Sequence, residues 1–593
     1  MKKAIILFSL LAITAFLSIY VGCGPAKPDT VASSSRLPTN VLQSCTISTD
    51  SFNTWFASGQ ASENGLVLPA NSVTFGHHNN CDFYQWSWQM FAWMTSPASG
   101  SYGSSGTVME SPVFYTASAP DSIGDRELIP HKSGEPLRVF ISPIEQNGPN
   151  KLPMILDTKG NLLEVVPQEK NVKPMLLEGT RRVAISSVDI DAAGKPVFKD
   201  AAGKIIQNPK ALITLKGNKK RMVEEFVTNR GQSVFLNTDG QVVETEVGQA
   251  THNGLISRKG SLVYYISMVN DVYAYYLSAA KEGQISGAEF PTTAQQRDSI
   301  CAIARINGAT LPDSNALAIE IKTSWVEAAT VPDPENYIVV DAWVPTYNKT
   351  DTLWTPSGEK KVKLAMLGMH VVGSTAGHPE MVWSTFEHNQ NAPNAAYQYL
   401  DSNNVVVTQP ADSGGQWTLS SNASDPHPNV AHITVPKNTN NLKAIAPYGI
   451  TASNSSLVYP WGSEANVSPN AENGSSAASN SEVISINNSV LSKLVGNDIR
   501  KNYILIGSTW TSGGSAPTGQ SYSTNPTSPG VAIGTSLVAN STMETYLQLN
   551  YTTCFYCHSN GDTLNPSLLP GDLSHVYTGL QVLKSFKTAP GNK

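Results

Sequence analysis

The chain has 593 residues, long enough for more than one domain, with 40% hydrophobic residues and a formal charge of −6. That apolar share excludes general disorder, and no Lys/Arg block is present to follow a phosphate backbone, so nucleic acid is not an expected partner. Charged residues are only 15%, below the roughly 25% of an average globular chain, and Ser, Thr, Asn, Gly and Pro fill the gap. That balance suits a turn-rich β protein outside the cytoplasm.

The first segment reads as an export signal, residues 1–22: Lys2 and Lys3, then an apolar run from Ala4 to Tyr20. Val21-Gly22-Cys23 resembles a bacterial lipobox, which makes Cys23 the expected lipidation site and 23–45 a flexible, lipid-anchored tether to a membrane. An ordinary cleaved signal and a retained anchor are the alternatives. Cys45, Cys81 and Cys301 remain outside the signal and the C-terminal motif. Export permits disulfides, and Cys45–Cys81 is the candidate pair; an odd cysteine then stays free.

Residues 46–535 form the expected body. Cys81–Thr95 is dense in aromatics without a breaker and reads as a helix packed on all sides, with Trp86, Trp88, Phe91 and Trp93 as core. Asp157–Gly160, Asp191–Gly194, Asp200–Gly203 and Asp239-Gly240 are hairpin turns between β-branched runs. Leu262–Met268 reads as a strand and Asp271–Lys281 as a helix. Ala318–Lys322 alternates apolar and charged residues, so one face is wet; Tyr337–Val344 is nearly continuous apolar and central; Val362–Val372 is a third strand. Ser453–Ser481 and Thr511–Gly530 read as long polar loops. A boundary between two subdomains, if the body divides, is expected near 290–315.

Residues 536–593 carry the chemistry. Ser541 and Glu544 fit a capping box, predicting a helix over 542–550, and Asp572 caps a second helix with the stripe Val576, Leu580, Leu583. Between them lies Cys554-Phe-Tyr-Cys557-His558, a CxxCH motif. Two thiols must reach two vinyl groups on one porphyrin edge, and the next residue must present an imidazole to the iron. Two intervening residues and a helical turn satisfy that geometry, so Cys554 and Cys557 are read as the attachment sites of one haem c and His558 as its proximal ligand. A zinc half-site needs a second close ligand pair, and a redox CxxC needs a βαβ context; neither is present in the sequence.

The sixth ligand is open. No Met follows His558. His575 is the nearest candidate. The body offers His370, His378 and His388, which are also the candidate catalytic residues of an open site, with Met366, Met369 and Met381 as possible thioethers. His77-His78 reads as a surface loop, and Glu380 with Glu387, seven apart, is a weak carboxylate pair.

These stretches carry a resemblance. Asn540–Tyr546, CFYCH and Asp572–His575 resemble the C-terminus of bacterial monohaem cytochrome c family proteins. Ile319–Trp325, Met369–Val372 and His378–His388 resemble that group's central motifs, and Phe83–Trp93 its N-terminal one. The resemblance implies haem binding, export and a redox role, with no defined substrate. The expected fold is α+β and β-dominated: a large antiparallel body with packed helices and a small C-terminal α-helical haem c segment. The expected function is electron transfer with a redox partner protein in the cell envelope, periplasmic or at the cell surface. A haem peroxidase or oxygenase is the second reading. A glycan- or protein-binding module with accessory haem is the third.

Overall fold

Alternating apolar strands with few charges on their inner faces must stack into one large sheet or leave backbone groups unpaired. The computed structural model shows such a sheet. It describes residues 37–587 except 120, 122–124, 140–151, 153, 157–161, 167–172, 192–194, 215–218, 228–232, 244–252, 421–427, 436–440, 446–447, 463–474, 520–527, 547, 549–552 and 561–563. The signal and lipidation readings, Cys23 included, lie outside the described residues.

From Asn40 onward the chain forms one compact unit. Its main sheet has 13 strands, and the run that matters here is antiparallel throughout. Phe114–Ala117 pairs with Tyr264–Asn270, which pairs with Ile319–Glu327, then Leu353–Thr375, His378–His388, Tyr503–Thr511 and Ala532–Gly534. The candidate boundary at 290–315 lies between two of these paired strands. The Leu353–Thr375 strand is long enough to pair with Val339–Lys349 along its first half and with His378–His388 along its second. The fold is therefore β-dominated and antiparallel, with helices packed against it, as expected.

The helix Asn80–Met94 covers one face of this sheet. It starts at a reciprocal cap, with Asn79 accepting from the backbone and Asp82 reaching back to it. Trp86, Trp88, Phe91 and Trp93 are all buried. Ser87 sits between Ser384 and Ser508 with hydroxyl oxygens 2.6 and 2.8 Å away, and Phe91 stacks on Phe386 at 4.2 Å. Gly373 is required here: a Cβ would come within 2.9 Å of the Trp86 ring. A disulfide joins Cys81, in the first turn of this helix, to Cys45, and Cys301 is free.

The turns at Asp200 and Asp239 hold, and those at Asp157 and Asp191 are bracketed by paired strands, residues 192–194 lying outside the described residues. Ile190 pairs with Pro196 across the Asp191 turn, Asp200 closes on Lys204, and Gly240 adopts a φ of 85° in the turn after Asn237. Leu156 pairs with Leu162 around the Asp157–Gly160 turn, which itself lies outside the described residues. The helix Asp271–Lys281 has the predicted bounds.

Three expectations are corrected. Ser476–Leu491 is a buried helix rather than the end of a polar loop. Its polar side chains serve its neighbours: Asn487 both donates to and accepts from the Leu505 backbone at 2.8 Å, so a polar composition here marks internal hydrogen bonding. Residues 541–546 form turns rather than a helix, because Glu544 accepts from the Asn540 backbone at 2.9 Å and turns its other oxygen to His370. Around Asp572 there is a single helical turn, Pro570–Leu573, and then further turns; Val576, Leu580 and Leu583 are nevertheless buried together.

Candidate haem site

Side chains two apart on a strand share a face, and antiparallel register aligns them across strands. Ser267 pairs with Lys322, Lys322 with His370, and His370 with Thr385. Glu320, Val372 and Trp383 form the adjacent row. All seven line one cleft. The face opposite the Asn80–Met94 helix is thus a polar floor. The wet face predicted for Ala318–Lys322 is wet because it looks into this cleft.

The C-terminal segment supplies the rest of the lining, including Cys554, Cys557, His558, His575 and Val576. Its chain enters through a clamp: Glu387 accepts from the Ser541 backbone at 2.6 Å and from its hydroxyl at 2.5 Å, while Asn540 donates to Thr385 at 2.8 Å. Beyond the motif, the Ser574 hydroxyl donates to Glu320 at 2.5 Å and accepts from Tyr273 at 3.0 Å. Arg126 and Gln581 bond through their backbones, and Leu583 donates to Ser278 at 3.0 Å. Phe555, Leu573, Val576, Leu580 and Phe586 then share one apolar cluster with the Asp271–Lys281 helix. Burying one such side chain contributes roughly 1.5–3 kcal/mol, so packing rather than the few hydrogen bonds holds the segment down.

Cys554–Cys557 is one helical turn capped by Thr553, which places the two thiols three residues apart on one side. Both cysteines are free and both line the cleft. Burial pushes the Cys554 thiol well up and the Cys557 thiol up to about 12, so both stay protonated rather than forming thiolates. His558 follows at the end of the turn. Its Nδ1–H donates to the Leu573 carbonyl at 2.8 Å, which leaves Nε2 as the free lone pair. Burial, and then the neighbouring His575, hold the imidazole neutral, well below its ordinary pKa.

His575 lies flat on His558, with ring centroids 4.0 Å apart and planes 15° apart. Its Nε2–H donates to the Cys557 carbonyl at 3.2 Å, and burial pulls its pKa down to about 4. His370 lines the floor, 2.8 Å from Glu544 through Nε2. Burial pushes Glu544 up, but His370 and Lys322 outweigh it and hold the carboxylate below its usual range. Burial lowers Lys322 and raises Glu320.

The other candidates stand elsewhere. His378 bonds Glu380 at 2.8 Å and meets His77 and Phe83 at 5.0 Å, while His388 stacks on Tyr337 at 3.7 Å. Neither lines the cleft, nor do Met366, Met369 and Met381, all of which are buried. Glu380 and Glu387 serve separate hydrogen-bond sets. His77 and His78 are exposed, and among the described residues no group of three or more His, Cys, Asp and Glu is placed to hold a metal ion. Sequence reasoning missed Lys322, Glu320 and Trp383 as cleft residues. The alternation at 318–322 was the available signal for the first two.

Comparison of the chain with family models, curated proteins and solved structures finds no match.

Proposed function

We propose that the chain carries one haem c, attached through Cys554 and Cys557 with His558 as its proximal ligand, and moves electrons at the cell envelope. The observation that carries this reading is the convergence of two free cysteines, Cys554 and Cys557, and the His558 imidazole on one cleft. The His558 nitrogen away from the cleft's free lone pair is held by the Leu573 carbonyl, the arrangement that fixes an imidazole for metal ligation. Haem supplies one-electron chemistry at its iron. Cys554 and Cys557 would each hold the haem through one thioether S–C bond, the thiol adding across a vinyl group, so attachment would consume no oxidant. Leu573 orients His558, and Trp383, 4.2 Å from it, walls its ring from water. The donor and acceptor are redox proteins of the envelope.

The Cys45–Cys81 disulfide fits an extracytoplasmic site, and among the described residues no helix is long and apolar enough to cross a membrane. A lipid on Cys23 would tether the protein. One observation favours the peroxidase or oxygenase reading: the floor holds Lys322 and a His370–Glu544 pair, groups able to handle protons beside an open iron.

The test is expression with export and the haem c maturation system, followed by denaturing electrophoresis with haem staining and a pyridine haemochrome spectrum. One covalent haem per chain is expected, lost when Cys554 and Cys557 are both changed to Ser. A chain that matures without bound haem refutes the reading.

A further inference from the structure

We infer that Lys322 presents its side-chain amine as the sixth axial ligand of the iron, facing His558 from the sheet floor. The inference rests on the haem reading and assigns the residue which that reading leaves open.

The position comes from register. Lys322 lies between Ser267 and His370 in the strand row that lines the cleft, and Cys554, Cys557 and His558 line the same cleft.

The choice among floor and wall residues comes from hydrogen bonding. His370 commits Nε2 to Glu544, and Glu544 at the same time holds the Asn540 backbone that starts the haem segment. Freeing His370 would break the pair that positions that segment. His575 stacks face to face with His558. Two axial ligands meet an iron head-on from opposite sides, whereas stacked rings lie side by side on one side. No Met lines the cleft.

Lys322 differs from all of these. Among the described residues its side-chain amine makes no hydrogen bond and no ion pair, and it lies 5.8 Å from the centre of the Tyr265 ring. Glu544 and Glu320 act on its charge without a direct contact, and a partly buried ammonium with no direct partner is costly. Burial favours the neutral amine, opposed by Glu544 and Glu320. A neutral amine has the lone pair that a metal takes. Its flexible four-carbon stem lets Nζ cross the cleft from a fixed strand.

The test uses the matured holoprotein. Near-infrared magnetic circular dichroism and electron paramagnetic resonance of the ferric wild type distinguish amine, imidazole and thioether as partner to histidine. The expected result is a low-spin His/amine signature. Lys322→Ala and Lys322→Arg should both lose the low-spin signal and bind carbon monoxide readily when reduced, because guanidinium keeps the charge but does not ligate. Lys322→His should restore a low-spin iron with a two-imidazole signature. His378→Ala and His388→Ala, which lie outside the cleft, should keep the wild-type signature. A wild type that is high-spin, or low-spin with two imidazoles or a thioether, overturns the inference. So does a low-spin signal that survives in Lys322→Ala and Lys322→Arg. If the wild type carries no covalent haem, the proposed function itself fails, so the two failures are separable.

Discussion

Glu387 anchors the entry of the C-terminal segment through Ser541, and its removal should loosen that entry selectively. Its carboxyl oxygens accept from the Ser541 backbone at 2.6 Å, the Ser541 hydroxyl at 2.5 Å and Asn391 at 3.2 Å, all buried. Asn391 keeps a second acceptor in the Leu367 carbonyl, but the Ser541 backbone N–H is left without this partner in Glu387→Ala. A buried donor left unsatisfied costs roughly 1–3 kcal/mol, so losing the Ser541 pair should cost about 2–6 kcal/mol. Glu387→Gln keeps the volume but offers one acceptor where two donors converge, so about half of that loss is expected. Hydrogen exchange read by mass spectrometry is the assay. Amides of 538–546 should open about thirtyfold to ten-thousandfold more often in Glu387→Ala, while those of the Asn80–Met94 helix stay protected. If the two regions respond alike, or if 538–546 exchanges as in the wild type, the clamp does not position the segment.

Two further outcomes are expected. Opening the Cys45–Cys81 disulfide, which closes a loop with a sequence separation of 36, should lower stability by about 4 kcal/mol on the chain-entropy relation; thermal unfolding of Cys45→Ser/Cys81→Ser that matches the oxidised wild type would contradict it. His131 donates to the Met109 carbonyl, faces Thr116, and is pulled down by burial to about 4. The folded state therefore prefers the neutral ring, and the unfolded state takes up the proton first. This contribution, about 3 kcal/mol, is complete above pH 6.5, declines from there to about pH 4 and is absent below. His131→Gln should flatten that part of the stability–pH curve, and an unchanged slope would refute it.

Features with a local cause were legible in the sequence. The aromatic run Phe83–Trp93 announced a helix buried on all sides because no exposed stripe interrupts it. Asp191 and Asp200 announced their turns because a short carboxylate can bond the backbone four residues on, as both do with Lys195 and Lys204. The CxxCH spacing placed three site residues together because one helical turn does so regardless of what surrounds it. The floor was harder to see. Lys322 and His370 are 48 positions apart in the chain, as their numbering shows, and become neighbours only through strand register. Alternation at 318–322 showed that one face was polar, but an open surface and an internal cleft leave the same pattern. Ser541 and Glu544 misled for a related reason: their spacing suits a helix cap, yet His370 and Glu387, supplied by distant strands, offered both side chains better partners.

The separation between the clamp's two halves has a consequence for how the protein is made. Glu387 precedes Ser541 by 154 residues, and Tyr273 precedes Ser574 by 301, so the floor is synthesised well before the strip that closes over it. Once closed, Cys557 is buried, Cys554 is half-covered and both thiols are protonated. If haem is attached at these thiols, the attachment machinery must reach them before the strip docks. Maturation would then be a race between enzymatic modification and spontaneous docking, and the slow closure expected of contacts so distant in sequence would keep that interval open.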